Sequence, residues 1–407
     1  MTGNGLKQAT LEHIAEFING GAWNQTEYSD EGVPVVRVTD IKNETVDLSD
    51  CKFLPSSSLK RYAKHSLRAG DLVVCTVGSH PTQPGSVVGR AAVIPDLADG
   101  ALLNQNAVCI RSSSPDVDQV WLGYLGRCRK FHNYIISCAR GSANQVRMAI
   151  GLLKKMPIEI PPLSVQIRIA DILSAYDDLI ENNQRRIKIL EEMARSLYRE
   201  WFVNFRFPGH EKVPLVDSPL GKIPKGWNVL EFRDLFDIRY GKTLPQTEIA
   251  DAGSYPVYGA GDVIGFYDKA LFPNKVALVT SRGNGSGTVW RTRQAAFVTN
   301  NSLIVLPREE RKDWDYSFVE LLLKNSDVMQ AKTGSAQPQV TIENLNYVKA
   351  TVPTTSLVKT FCAFVTPIYE QVDLLFFQIQ NLRRTRDLLL PRLLSGQVEL
   401  RGAEAAA

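Results

Sequence analysis

From Ser164 to Trp201, apolar residues recur at alternating steps of four and three: Ile169, Leu173, Tyr176, Ile180, Ile187, Leu190, Ala194, Leu197 and Trp201. Asn183 fills the one polar gap. A heptad seam sustained this long specifies a helix that must bury one stripe against another helix. Asp177, Asp178, Glu181, Arg185, Arg186, Lys188, Glu191, Glu192 and Arg195 lie between the seam positions and read as a solvated face. The partner stripe is in the same chain. Moving each seam position on by 192 gives Phe361, Val365, Ile368, Val372, Leu375, Ile379, Leu382, Arg386, Leu389 and Leu393. Arg386 is the one polar residue of that set, and Leu375 stands where the first stripe has Asn183. Two helices of about 40 residues, each about 60 Å long, are expected to pack on one another. Spacing alone leaves parallel and antiparallel packing open. Pro367 should kink or delay the second helix, and Arg386 points to a local opening or a partner contact.

The approach to each helix repeats as well. Gly141-Ser142-Ala143 with Gln145-Val146 precedes the first, and Gly334-Ser335-Ala336 with Gln339-Val340 precedes the second. Each is followed by a short strand-like run, Lys154 to Pro162 and Tyr347 to Pro353. Looser matches pair Ala101–Ile110 with Ala296–Val305, Val33–Ile41 with Tyr255–Val263, and Asp71–Ser79 with Lys275–Gly283. These runs are β-branched and bounded by Gly, Ser and Asn, as strands and turns are. Amphipathic helices are expected at about Val120–Ala139 and Tyr316–Lys332. Between the halves, Arg206–Trp227 holds four prolines and three glycines and reads as a semi-rigid linker. The expected fold is therefore α+β. Mixed α/β globular domains span 1–160 and 228–353, long helices 161–205 and 354–397, a linker 206–227 and a tail 398–407.

A length of 407 residues suits two or three domains. No stretch approaches the ~20 apolar residues of a membrane span, and the N-terminus has no apolar signal core. A cytoplasmic protein without a membrane partner is expected. The six cysteines form no C-x-x-C pair and read as packed, reduced thiols. His80 near Cys75 mimics a Cys–His pair, but Cys75 sits in an apolar run. No metal site is expected. Walker A and G-x-G-x-x-G phosphate loops are absent, and so is an Asn-Pro-Pro-aromatic tetrad for amino-methyl transfer, so no catalytic residue is assigned.

Two similar modules held apart suit a ligand with its own repeat, and duplex DNA is one. The loops Gly78–Arg90 and Ser281–Arg293 are rich in Gly, Ser, Asn, Gln and Arg. Asn and Gln pair with adenine and Arg with guanine, while hydroxyls and backbone N–H groups position phosphates. The candidate DNA contacts are Ser79, His80, Gln83, Arg90, Asn144, Arg147, Ser281, Arg282, Asn284, Ser286, Arg291 and Gln337. The plainer alternative is that these are ordinary surface turns. Net charge is only +4, from 47 basic and 43 acidic residues, which does not fit a chain that grips phosphates unaided.

The duplicated plan resembles the DNA-specificity subunit of Type I restriction–modification systems. The resemblance rests on Gln145-Val146 to Pro161-Pro162-Leu163, on Gln166 with Ile169-Ala170-Asp171-Ile172-Leu173, and on Leu197-Tyr198-Arg199-Glu200-Trp201-Phe202-Val203-Asn204-Phe205. Leu389-Leu390-Pro391-Arg392-Leu393-Leu394-Ser395-Gly396 and the Asp71-Leu72-Val73-Val74 strand leading to Val88-Gly89-Arg90 add to it. It covers essentially the whole chain. It implies two target recognition domains, each reading one part of a bipartite, asymmetric DNA site. It implies an antiparallel coiled coil that spaces them and docks two modification subunits. The seam and partner residues are then Ile169, Leu173, Tyr176, Ile180, Ile187, Leu190, Leu197, Trp201, Val372, Leu375, Ile379, Leu382 and Leu389. S-adenosylmethionine, ATP and Mg would belong to the modification and restriction/translocase partners, with no cofactor in this chain. A coiled-coil scaffold that binds protein partners without DNA readout, and the specificity subunit of a methylation-only or related defence complex, remain the alternatives. The chain departs from the family at Val165-Gln166, where Glu-Gln is common, and at Leu357-Val358 in the second repeat.

Overall fold

The computed structural model describes residues 6–42, 45–79, 86–142, 145–283, 285–334 and 337–398. The chain packs as two compact units, Met1–Ile180 with Asn381–Ala407, and Glu181–Gln380. Each unit combines a globular lobe with a stretch of both long helices.

The first lobe is built on a four-stranded antiparallel sheet. Its order is Ala15–Asn19, Ala107–Ser112, Leu72–Cys75, Ala91–Val93. The second has the same order in Phe236–Tyr240, Ser302–Pro307, Ala277–Thr280 and Val289–Arg291. Beside each lies a smaller sheet containing a parallel pair, Val33–Val36 with Leu102–Leu103 and Tyr255–Tyr258 with Phe297–Val298. The first strand of each lobe pairs with its last, Lys7–Thr10 with Pro157–Ile160 and Asn228–Glu231 with Lys349–Val352. The repeat is thus one of topology. Central strands are buried on both faces, which is why they read as continuous apolar runs such as Leu72-Val73-Val74-Cys75 and Ala277-Leu278-Val279.

Strand register corrects one sequence alignment. Cys75 pairs with Ala107, and Thr280 pairs with Ser302. Cys75 therefore matches Thr280, one residue away from the match of Asp71–Ser79 to Lys275–Gly283. A slip of one residue exchanges the two faces of a strand. The helix expected over 120–139 is two, Gln119–Arg127 and Arg129–Cys138, because Cys128 is extended and its sulfur caps the second. Its counterpart is Tyr316–Asn325 with a separate turn at Val328–Ala331.

The long helices run Leu163–Tyr198 and Thr355–Leu394, so their starts differ by the same 192 residues as the seams. Every residue of both stripes is buried or half-buried. In the first unit Ile169 and Leu173 pack with Leu390 and Leu393. In the second, Tyr198 and Trp201 pack with Phe361 and Val365. The early part of one helix thus meets the late part of the other, which makes the packing antiparallel. Asn183 is buried and donates to Gln378 across the seam at 3.5 Å.

Three expectations about the helices change. Pro367 lies within a continuous helix and does not delay its start. Arg386 opens nothing, because it donates to Asp177 on the other helix at 2.6 Å. Asp177 is accordingly not on the solvated face. One extra residue enters the end of the first helix, where Asn204 N–H donates to the carbonyl of Arg199. That wide turn aims Tyr198, Trp201 and Phe202 together at the core, with Phe202 4.9 Å from both Tyr198 and Phe361. The segment 206–227 is not a free linker. Phe207, Ile223 and Trp227 join the second unit's core, and Leu215–Ser218 forms a hairpin with Gly221–Pro224.

All six cysteines are free, and five are buried. Burial pushes the Cys75 thiol up to about 12, so it is a packing group rather than a nucleophile. Among the described residues no cluster could hold a metal ion, and no helix is long and apolar enough to cross a membrane.

Candidate nucleic-acid interface

Strand direction decides which loops come together. In the second lobe Tyr240 pairs with Leu303, Thr280 with Ser302 and Val279 with Val289. The segments 241–254, 281–288 and 299–301 therefore leave the sheet at one end. Tyr258 and Val298 end a parallel pair, which brings 259–262 to the same end. A fifth segment is laced on by Val340 N–H donating to the Ser281 carbonyl at 2.8 Å and by bridging of Arg282 with Gln339. The first lobe repeats this with 20–32, 37–40, 76–79, 86–90 and 104–106, and Val77–Gly78 pairs with Val146–Arg147. Loops gathered at one end of a rigid sheet form the usual recognition surface of such a scaffold.

Glycine permits the closest approach there. A Cβ on Gly241 would strike the carbonyls of Val298 and Thr299, and one on Gly20 the carbonyl of Asn104. These equivalent glycines, in Asn19-Gly20-Gly21 and Tyr240-Gly241-Lys242, mark the site in both halves. Exposed Lys242 beside Gly241 is a candidate contact that the sequence reading passed over. The glycines were its available signal.

The candidate residues sort into three groups. Arg282, Gln337 and Arg147 are exposed at this end, and Ser79 is half-buried there. His80, Gln83, Asn144 and Asn284 lie outside the described residues. Of the others, Ser281, Ser286 and Arg291 are corrections, while Arg90 keeps a half-buried place at the loop end. Ser281 is 1% exposed and donates its hydroxyl hydrogen bond to the Val340 carbonyl, so it braces the loop. Ser286 is buried, and together with Thr280 and Thr299 it holds a hydroxyl without a partner among the described residues. Arg90 donates to the carbonyls of Ile41 and Ser86, anchoring the root of the 78–90 loop.

Arg291 points the other way. It is buried and donates to both Asp373 oxygens at 2.9 and 2.7 Å, while its Nε lies 3.0 Å from Glu320. Lys275 and Arg293 also reach Asp373, at 2.7 and 2.9 Å. Burial raises the Asp373 carboxyl, but Arg291 and Lys275 outweigh it and hold the group below its ordinary value. Asp373 thus fixes the second lobe to the second long helix. Asp177 does the same for the first lobe, accepting from Arg127 at 2.6 Å, Tyr124 at 2.7 Å and Arg386 at 2.6 Å. Burial again raises this carboxyl, and Arg127 leads the groups that hold it low. Gln166, at the helix start, accepts from Asp118 N–H and donates to the carbonyls of Asp116 and Pro161. The resulting object is two copies of one recognition scaffold, each with its loops at one end and its docking charges on the helix pair.

Residues 4–192 and 224–381, one stretch for each lobe, match the family described as Type I restriction modification DNA specificity domain. The chain belongs to that family. The specificity subunit of the type I restriction enzyme MjaIX from Methanocaldococcus jannaschii is 25% identical, over 69% of each chain. That of HindI from Haemophilus influenzae is 21% identical, over 86% of this chain and 90% of its own. Among solved structures, a type I restriction–modification S subunit from M. genitalium superposes with a TM-score of 0.63 at 19% identity, covering 97% of both chains. The S-subunit likeness extends over the whole fold, including the helix pair.

Proposed function

We propose that the chain is the sequence-reading subunit of a type I restriction–modification complex, each lobe reading one part of a bipartite, asymmetric site in double-stranded DNA. The observation that carries this reading is the duplicated loop end. One framework is used twice, and its loops differ, with His80 and Gln83 in one and Arg282 and Asn284 in the other. Different loops on one scaffold read different bases.

The helix pair is the docking element for two modification subunits. Its outer surface carries the exposed apolar side chains Ile189, Met193, Phe364 and Leu374 in the second unit, and Ile167, Leu179 and Leu388 in the first. Adenine methylation with S-adenosylmethionine belongs to those subunits. ATP- and Mg-dependent translocation and cleavage belong to the restriction subunits. The chain itself holds no reacting group, positions the partners, and works in the cytoplasm. Partner subunits also supply the positive charge that a +4 chain lacks.

The test is selection from randomised duplexes by the chain assembled with its modification subunit. A bipartite motif is expected. Recovery of duplexes without sequence preference would favour a protein scaffold instead.

A further inference from the structure

The first lobe contains an open cavity of about 670 Å³ whose lining includes Lys42, Arg90, Arg127, Arg129 and His132 and, among the described residues, no acidic one. The charges are not equally engaged. Arg127 shares Asp177 with Arg386, and Lys42 pairs at the surface with Asp47. Arg90 is held by the carbonyls of Ile41 and Ser86, which fix the guanidinium without cancelling its charge. The side chains of Arg129 and His132 are exposed and form no hydrogen bond or ion pair among the described residues. Helix Arg129–Cys138 has Arg129, Lys130 and His132 in its first turn and no acid. Cations at that end oppose the helix dipole, so the arrangement favours an anion in the cavity.

The cavity also specifies what kind of anion. Apart from His132 its described lining has no ring on which a nucleobase could stack, so it suits a phosphate–sugar chain and not a free nucleotide. Ser86 and Arg90 form both part of its wall and the root of the 78–90 loop.

We propose that this cavity is a phosphate cradle that holds the DNA backbone beside the first half-site and sets the duplex's register without reading bases. The inference rests on the reading of function given above. In the second lobe the turn Val328–Ala331 stands where the first lobe has helix Arg129–Cys138.

The test uses the full chain assembled with its modification subunit, and duplexes with and without the mapped methylation motif, titrated over a series of salt concentrations. The first variant is Arg129→Gln, at an exposed residue with no ion-pair partner among the described residues. Arg90→Gln is the second, accompanied by thermal melting. The expected result is several-fold weaker binding of both duplexes by the same factor. The slope of log K against log salt should become shallower by about 0.9 for each phosphate that is no longer neutralised, with discrimination between duplexes unchanged. An unchanged slope for Arg129→Gln, or a loss confined to the target duplex, would overturn the cradle. Absence of discrimination in the unsubstituted complex would instead overturn the reading of function beneath it.

Discussion

The two lobes share one framework but are fixed to the helix pair by different chemistry. At the helix start, the first lobe uses the buried amide of Gln166, which satisfies three backbone groups. The position 192 residues later is Val358, buried in an apolar core with Phe361 and Phe318. Farther along, the first lobe donates Arg127 and Tyr124 to a partly exposed Asp177, shared with Arg386 of the opposite helix. The second lobe gathers Lys275, Arg291 and Arg293 around Asp373, whose side chain is only 4% exposed. Asp177 and Asp373 are not equivalent under the repeat. Docking was therefore solved separately in the two halves, whereas the sheet was kept. A duplicated scaffold can change its contacts freely wherever only burial and charge balance must be conserved.

The difference can be broken experimentally. Asp373→Ala should have the largest effect, because it removes the buried carboxylate shared by three cations, of which Arg291 is itself buried. A loss of about 3–5 kcal/mol is expected for the second unit in denaturant unfolding. Asp177→Ala should cost less, about 1–3 kcal/mol, since solvent reaches that site. Equal losses would contradict the distinction drawn between the clamps. Gln166→Leu leaves Asp118 N–H and the Asp116 and Pro161 carbonyls unpaired, and should cost the first unit about 1–3 kcal/mol. If it were neutral, the amide would be no anchor.

Arg282→Ala tests the loop end and not the docking. It should cost about 1–3 kcal/mol of discrimination at one base pair of the second half-site, with unfolding unchanged. Mapping the methylated motif checks this, and an unaltered motif would remove Arg282 from the reading surface. The smallest effect is with pH. Both aspartates titrate below their ordinary value when folded, so their contribution is complete above the unfolded pKa of about 4 and is lost as pH falls through the lower folded value. Stability should therefore be flat between about pH 6 and 8. A transition in that window would point to another group.

Much of this plan was legible in the chain. The two stripes at a spacing of 192 located both helices because a heptad seam is a local, periodic signal. Paired framework strands were visible for the same reason. Register was not, since Cys75 and Thr280 align only when their partners Ala107 and Ser302 are known. The loop candidates were legible as loops and not as contacts. Arg291 and Arg282 sit in the same glycine-rich run, yet one is spent on Asp373 and the other is exposed. Asp177 looked solvated because the helix pattern carries no information about Arg127 across the lobe. Trp227 looked like the edge of a linker because prolines mark turns without saying what packs beside them.

The central claim is that each lobe reads its own part of the site. The most direct test replaces residues 1–160 with the first lobe of a relative and maps DNA methylation across the host genome. The account predicts that one part of the bipartite motif changes while the other part stays. A motif that is unchanged, or altered in both parts, would contradict it.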